Sequence, residues 1–168
     1  DAVGAPAGRS RGRRTPAPDS HTSVPAPLSV ILATHFPVAR HLGVRVREAS
    51  ARRVILEAPL APNRNRSGTA FAGSLNALAT LAGWSWVTLC CRGVNPEPQI
   101  LLQDSSIHYE QPARSAFRAV CVAPDAQELE RFRSTLHRRG RARVRVGVTL
   151  LTSTGSVGTF TGRYVASR

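Results

Sequence analysis

"NRNRSGTAFAGSLNALATLAGWSWV", Asn63 to Val87, is the stretch whose reading decides the fold. It opens as a polar loop punctuated by arginine and passes into small and apolar residues without a charge. The run Leu75–Cys91 is interrupted by Asn76, Thr80, Ser85 and Thr88. It therefore falls short of the roughly 18 uninterrupted apolar residues of a membrane span. The pattern predicts a helix from about Gly73 to Cys91, stopped by Gly93, Asn95 and Pro96. A helix that is apolar around most of its circumference has to be wrapped by other elements.

The flanking segments supply the wrapping. Residues 28–42 carry Leu28, Ile31, Leu32 and Phe36 at helical spacing, with Pro37 ending or kinking the first part. "GVRVREASARRVILEAPL" alternates around a polar turn and reads as a hairpin, with Val44 and Val46 on one strand and Val54, Leu56 and Ala58 on the other. Beyond the central helix, "QILLQDSSIHYEQPA" reads as a strand with Asp104, Ser106, His108 and Glu110 on its polar face. "RSAFRAVCVAP" is another, with Phe117, Ala119 and Cys121 on one side. "DAQELERFRSTLHRRGR" is a short amphipathic helix with Asp125 as its cap and Leu129, Phe132 and Leu136 as its apolar stripe. "ARVRVGVTLLT" and "SVGTFTGRYVAS" are two further strands joined by a turn at Ser153–Ser156. Six strands and one long apolar helix give an α+β fold in which an antiparallel sheet curls round that helix.

Composition narrows the function classes. The chain has 168 residues, and its formal net charge of +13 raises nucleic acid as a partner. All 23 basic residues, however, are arginine. A surface selected for phosphate usually also uses lysine, so a GC-rich coding bias explains the pattern better. A smaller polyanion, such as a nucleotide-bearing cofactor, suits the charge equally well. Cys90, Cys91 and Cys121 are odd in number and lack zinc spacing, and they read as reduced, mostly buried thiols in a reducing, cytoplasmic setting. There is no Gly-x-Ser-x-Gly for a serine hydrolase and no motif for a bound metal or cofactor. The start of the chain shows no signal peptide.

Residues 1–27 hold only Val3 and Val24 as large aliphatics, and read as a disordered tail or linker ahead of a domain at 28–168. Deleting 1–27 should leave the thermal midpoint almost unchanged. A large drop in a calorimetric scan would show that a structured element had been removed.

"APNRNRSGTAFAGSLNALATLAGW" resembles the active-site segment of hot-dog-fold acyl-CoA thioesterases. Many of these carry Asn-x-x-Gly-x-x-His-Gly-Gly before the central helix and an acid two turns into it. Here Asn65, Gly68 and Gly73 match, Phe71 stands where His is usual, Ala72 replaces the first Gly of the pair, and Thr80 occupies the acid position. The chain is more similar to a hot-dog subgroup at the C-terminus of YiiD-like proteins, reading "PN…N…GTxFxGS…LAxLxGW". Pro62, Asn63, Asn65, Gly68, Thr69, Phe71, Gly73, Ser74, Leu75 and Trp84 fit it, as do "SIHYEQP" and "GTFTGRYVA". The resemblance covers roughly residues 28–168. In some relatives this domain follows an acetyltransferase domain.

The resemblance implies hydrolysis of an acyl-CoA or acyl-carrier-protein thioester by a directly activated water. It also implies pairing into a homodimer or a dimer of dimers. In that reading the Gly73 backbone N–H receives the oxyanion at the helix N-terminus, where free N–H groups and the positive dipole end face the loop. Asn65 orients water or thioester, and Thr80 holds a water by its hydroxyl. Gly68, Phe71, Ser74, Arg64 and Arg66 line the substrate, with the arginines, along with Arg114 and Arg118, available to phosphate. Structural alternatives stand beside each role: a turn-forming Asn65, loop-permitting Gly68 and Gly73, a Ser74 cap, and a core Thr80 bonding back to a helix carbonyl. Asp104, His108 or Glu110 are candidate bases from the next strand. Because Thr80 is not acidic, a module that binds an acyl thioester without cleaving it is the alternative. An alternating "ARVRVGVTL" strand in need of a covered edge predicts the oligomer.

Overall fold

The computed structural model describes residues 27–168. Apart from Pro27, the expected tail lies outside the described residues. Two short helices, α1 (Leu28–His35) and α2 (Pro37–Leu42), lead in, and Pro37 takes the first position of α2, where its missing N–H costs nothing. Strands β1 (Arg45–Ala49) and β2 (Arg53–Ala58) form the expected hairpin. After a 3-10 turn at Ala61–Asn63 comes the central helix α3 (Ala72–Cys90). Then follow β3 (Gln99–Tyr109), β4 (Phe117–Val122), α4 (Ala126–Arg139), β5 (Arg141–Thr152) and β6 (Gly155–Ser167).

All six strands join one antiparallel sheet in the order β1-β2-β4-β5-β6-β3. The sheet curls round α3, which packs against β2, β3, β4, β5 and β6. Alternation decides which side chains meet the helix. On β5, Ala142, Val144, Val146, Val148 and Leu150 are buried, while Arg141, Arg143 and Arg145 stay outside. Leu78, Ala79, Ala82, Trp86 and Val87 of α3 are fully enclosed. Asp125 caps α4 as expected, its Oδ1 accepting from the Glu128 N–H at 2.8 Å.

The helix keeps one seam that is not closed. Gly73 is exposed, and Asn76, Ala77, Thr80 and Trp84 are half-buried. Their spacing of three, four or seven residues places them in one row along α3. Elsewhere the contact is tight. A Cβ on Gly83 would sit 2.4 Å from the Tyr164 hydroxyl oxygen, so only glycine lets the buried β6 tyrosine reach α3. That hydroxyl donates to the Thr80 carbonyl at 2.8 Å. Burial raises the phenol pKa well above its ordinary value. Gly83→Ala should therefore destabilise by about 1–3 kcal/mol in a denaturant titration, even though alanine is the better helix former.

One expectation is corrected. β5 is not a terminal strand of the sheet: β6 pairs along its length, β4 pairs over Val148–Leu151, and α4 packs beside it. The open edges belong to β1 and β3. β3 is the longer of the two and exposes Leu101 at 60%.

Candidate active site

The loop between the 3-10 turn and α3 is built by Asn63 and Asn65. Asn63 is buried, and its Nδ2 donates to the carbonyls of Leu42 (2.9 Å) and Pro59 (2.7 Å). Its own carbonyl accepts from the Phe71 N–H at 2.7 Å, which fixes where α3 begins. Asn65 staples the exposed turn. Its Oδ1 accepts from the N–H groups of Ser67 (2.9 Å) and Thr69 (3.2 Å), and its Nδ2 donates to Thr69 Oγ1 (3.0 Å) and the Ala70 carbonyl (3.4 Å). Two acceptor and two donor capacities are all that an asparagine amide has. The side chain is thus spent inside the loop. Gly68 completes the turn at φ 77°, a conformation that suits glycine.

α3 starts with its first donors open. The Phe71 carbonyl takes the N–H groups of Ser74 and Leu75, while those of Ala72 and Gly73 have no acceptor among the described residues. The Phe71 ring, 55% exposed, folds back over Gly73, where a Cβ would lie 2.3 Å from ring carbon Cε1. Tyr109, at the end of β3, reaches the same place. Its hydroxyl donates to the Ala72 carbonyl at 3.0 Å, and desolvation raises its pKa. The site therefore offers two N–H donors without an acceptor among the described residues, an aromatic wall and a phenol.

Several expected roles change. Ser74 does not cap the helix. Phe71 is the N-cap residue and no side chain makes a cap bond, since Ser74 already lies inside the first turn. Arg118 is not open to a phosphate because it pairs with Glu57 at 2.7 Å across β2 and β4. Glu57 also takes Arg47, and these two guanidiniums hold its carboxyl below the usual carboxylate range. Asp104 pairs with Arg163 on the next strand and is not positioned as a base. His108 and Glu110 are exposed on either side of Tyr109, at the end of β3 that meets the mouth of α3. Arg64 and Arg66 are exposed on the loop, without ion-pair partners among the described residues.

Thr80 does not bond back to a helix carbonyl. That arrangement belongs to Thr88, whose Oγ1 donates to the Trp84 carbonyl at 3.0 Å. The Thr80 side chain instead lines a groove of about 1040 Å³ between α1, α3 and β3, with Phe36, Leu81, Trp84, Ile100 and Leu102. Seven residues of helix separate it from Gly73, about 10 Å. One chain thus gathers Asn65, Gly68, Phe71, Gly73 and Ser74 at the mouth of α3 and leaves Thr80 apart. Tyr109 is the residue that sequence reasoning missed. The motif "SIHYEQP" marked its neighbourhood, but its contact with Ala72 spans 37 positions.

The three cysteines are buried and unpaired. Desolvation pushes Cys90 up to about 11, and Cys91 and Cys121 up to about 12. All three should resist a thiol reagent at pH 8 until the protein is denatured, because the thiolate is the reactive form. Rapid native labelling would contradict their burial.

No group of three or more His, Cys, Asp or Glu among the described residues could hold a metal. No helix among the described residues is long and apolar enough to cross a membrane.

A family model described as "Putative thioesterase (yiiD_Cterm)" matches residues 26–168. Among similar solved structures is the protein OLEI01261 from Chlorobaculum tepidum TLS, at a TM-score of 0.79 and 29% identity, covering 84% of this chain and 92% of that one. Another is the putative thioesterase from Shewanella oneidensis, at a TM-score of 0.71 and 30% identity, covering 84% and 95%. Thioesterase HI1161 from Haemophilus influenzae shares the fold at a TM-score of 0.66 and 14% identity, covering 86% and 93%.

Proposed function

The chain belongs to the YiiD C-terminal family of putative thioesterases, and from that premise we propose that it hydrolyses an acyl-CoA or acyl-carrier-protein thioester with a directly activated water. The observation that carries this reading is the pair of N–H groups at Ala72 and Gly73, without acceptors among the described residues, at the open mouth of a buried helix. An oxyanion placed there gains two donors and the positive end of the helix dipole. Water adds to the thioester carbonyl, negative charge collects on its oxygen at those donors, the C–S bond breaks, and the thiol leaves carrying the water's proton. The acyl chain occupies the groove lined by Leu81, Trp84, Ile100 and Leu102. Asn65 serves as a positioning residue that holds the loop rather than the water. Arg64 and Arg66 line the carrier arm where it leaves the mouth of α3.

Thr80 is too far along its own helix to meet a thioester at Gly73. The open β3 edge supports an antiparallel pairing of two chains through β3, and in this reading the partner's Thr80 holds the attacking water. The active species is thus a homodimer, or a dimer of dimers. Light scattering at micromolar concentration should report at least a dimer, and a purely monomeric species would end this assignment.

A panel of acyl-CoA substrates with a thiol-release assay tests the activity. The non-acidic Thr80 favours one other reading, a module that binds acyl thioesters without cleaving them. Saturable acyl-CoA binding with no thiol release would establish that reading instead. Gly73→Ala provides a finer test. The new methyl must displace the exposed Phe71 ring, so stability should change by less than about 1 kcal/mol while turnover falls clearly. Unchanged turnover would remove Gly73 from the oxyanion site.

A further inference from the structure

A second groove lies at the opposite end of the sheet, between α4 and the start of β5. β4 pairs with β5 only from Val148 to Leu151, so Arg141–Gly147 has no strand neighbour on that side, and α4 packs there instead. The groove encloses about 790 Å³. One wall is a row on α4, where Arg131, Thr135, Arg138 and Arg139 follow helical spacing beside the buried seam of Phe132 and Leu136. The other wall carries Arg141 and Arg143, which alternate outward on β5, and buried Phe132 and Ala142 form the floor. Leu150 pairs with Gly158, which pairs with Tyr109 beside the mouth of α3. Nine strand residues separate that end from Arg141, about 30 Å. This groove is therefore distinct from the candidate active site in the same chain.

Five arginines line the groove. The four ion pairs among the described residues join Arg47 and Arg118 to Glu57, Arg53 to Glu48 and Arg163 to Asp104. None of them involves an arginine of the groove. Arg138 Nε donates to the Ser134 carbonyl, and Arg143 Nε donates to Gln103 Oε1 on β3, across β6 and away from α4; both acceptors are neutral. The acids that line the groove, Asp125 and Glu128, sit at the N-terminal end of α4, and Asp125 is engaged as its cap. Like charges gathered in a concave space repel unless an anion neutralises them. Guanidiniums on two facing walls suit an anion with several oxygens that can be gripped from both sides.

We propose that the α4–β5 groove binds a ligand carrying two or more phosphate groups. Two sources share that chemistry, the nucleotide handle of a coenzyme thioester and a free nucleotide or polyphosphate. Calorimetric titration of the full chain with inorganic pyrophosphate and with adenosine 3′,5′-bisphosphate tests it. Saturable binding that weakens with salt is expected. Arg131→Gln combined with Arg141→Gln removes one charge from each wall, and neither side chain makes a hydrogen bond or ion pair among the described residues. The double variant should bind at least about tenfold more weakly. Arg45→Gln, on β1 at the far edge of the sheet, should bind like wild type. A kinetic arm separates the sources. A KM that rises in the double variant for acyl-CoA, but not for the same acyl group on N-acetylcysteamine, assigns the groove to the coenzyme handle. Weakened bisphosphate binding with both KM values unchanged assigns it to a free nucleotide. Absence of saturable binding, retention of wild-type affinity in the double variant, or an equal loss in Arg45→Gln would overturn the proposal. The titration does not depend on hydrolysis, so failure of the thioesterase reading would show separately as no turnover on either thioester.

Discussion

Trp86→Ala should cost about 3–5 kcal/mol of folding stability, the largest single-residue loss expected outside the site. Trp86 is fully enclosed in the C-terminal half of α3. Its indole Nε1 donates to the Ala51 carbonyl at 3.1 Å, in the turn of the β1–β2 hairpin. Truncation leaves a large cavity and an unpaired turn carbonyl together. A chain of this size should then melt about 10 °C lower in a calorimetric scan. Trp84 is the internal control. It is half-buried on the open seam, it packs edge-on against Phe36 at 4.6 Å, and its Nε1 reaches the Ile100 carbonyl at 3.3 Å. Trp84→Ala should cost clearly less stability and should instead widen the groove that Trp84 lines. Equal losses for the two tryptophans would mean that the seam is as tightly packed as the enclosed side of the helix.

The second large effect is on turnover. Asn65→Ala should lower kcat by on the order of 10²-fold or more, the usual scale for losing preorganisation at an oxyanion site. The change removes four hydrogen bonds that shape the loop before α3. Because that loop is exposed, stability should move far less than activity. Circular dichroism and a thermal scan on the same sample check this. Thr80→Val keeps the shape and deletes only the hydroxyl, so it should reduce turnover without costing more than about 1 kcal/mol. If the two residues serve one site from different chains, the inactive variants should complement each other. An equal mixture, refolded together, should recover about a quarter of wild-type activity through heterodimers with one intact site. No recovery, with dimers present, would place both residues in sites made by a single chain. Normal hydrolysis by Asn65→Ala would remove that residue from the machinery altogether.

Much of the architecture could be read along the chain, because it depends on local patterns. The uncharged Leu75–Cys91 run had to be wrapped, and the alternation in "ARVRVGVTL" had to be a strand with one buried face. Asp125 ahead of "AQELERF" could only be a cap. What escaped notice depends on contacts between distant segments. Nothing in "ARVRVGVTL" says that β6, α4 and a short stretch of β4 flank it within one chain. Arg118 reads as any exposed arginine until β2 brings Glu57 beside it. Ser74 has the chemistry of a cap, but the chain enters the helix through Phe71, held by Asn63. Asn65 was visible as a polar group in the right register. That its amide is wholly consumed by Ser67, Thr69 and Ala70 follows only from how the turn closes.

β6 lies between β5 and β3, and it is synthesised after both. On the ribosome, β3 therefore has no sheet neighbour while β4, α4 and β5 emerge, and one side of α3 stays bare. The nascent domain must hold a long apolar helix in an unfinished cradle until Gly155–Ser167 arrives. Its vulnerable period is thus set by translation speed over the last two strands, and a holding chaperone would act there. Synonymous codons that slow β6 should lower the soluble yield of an unaltered protein, while slowing within β1 and β2 should leave it unchanged.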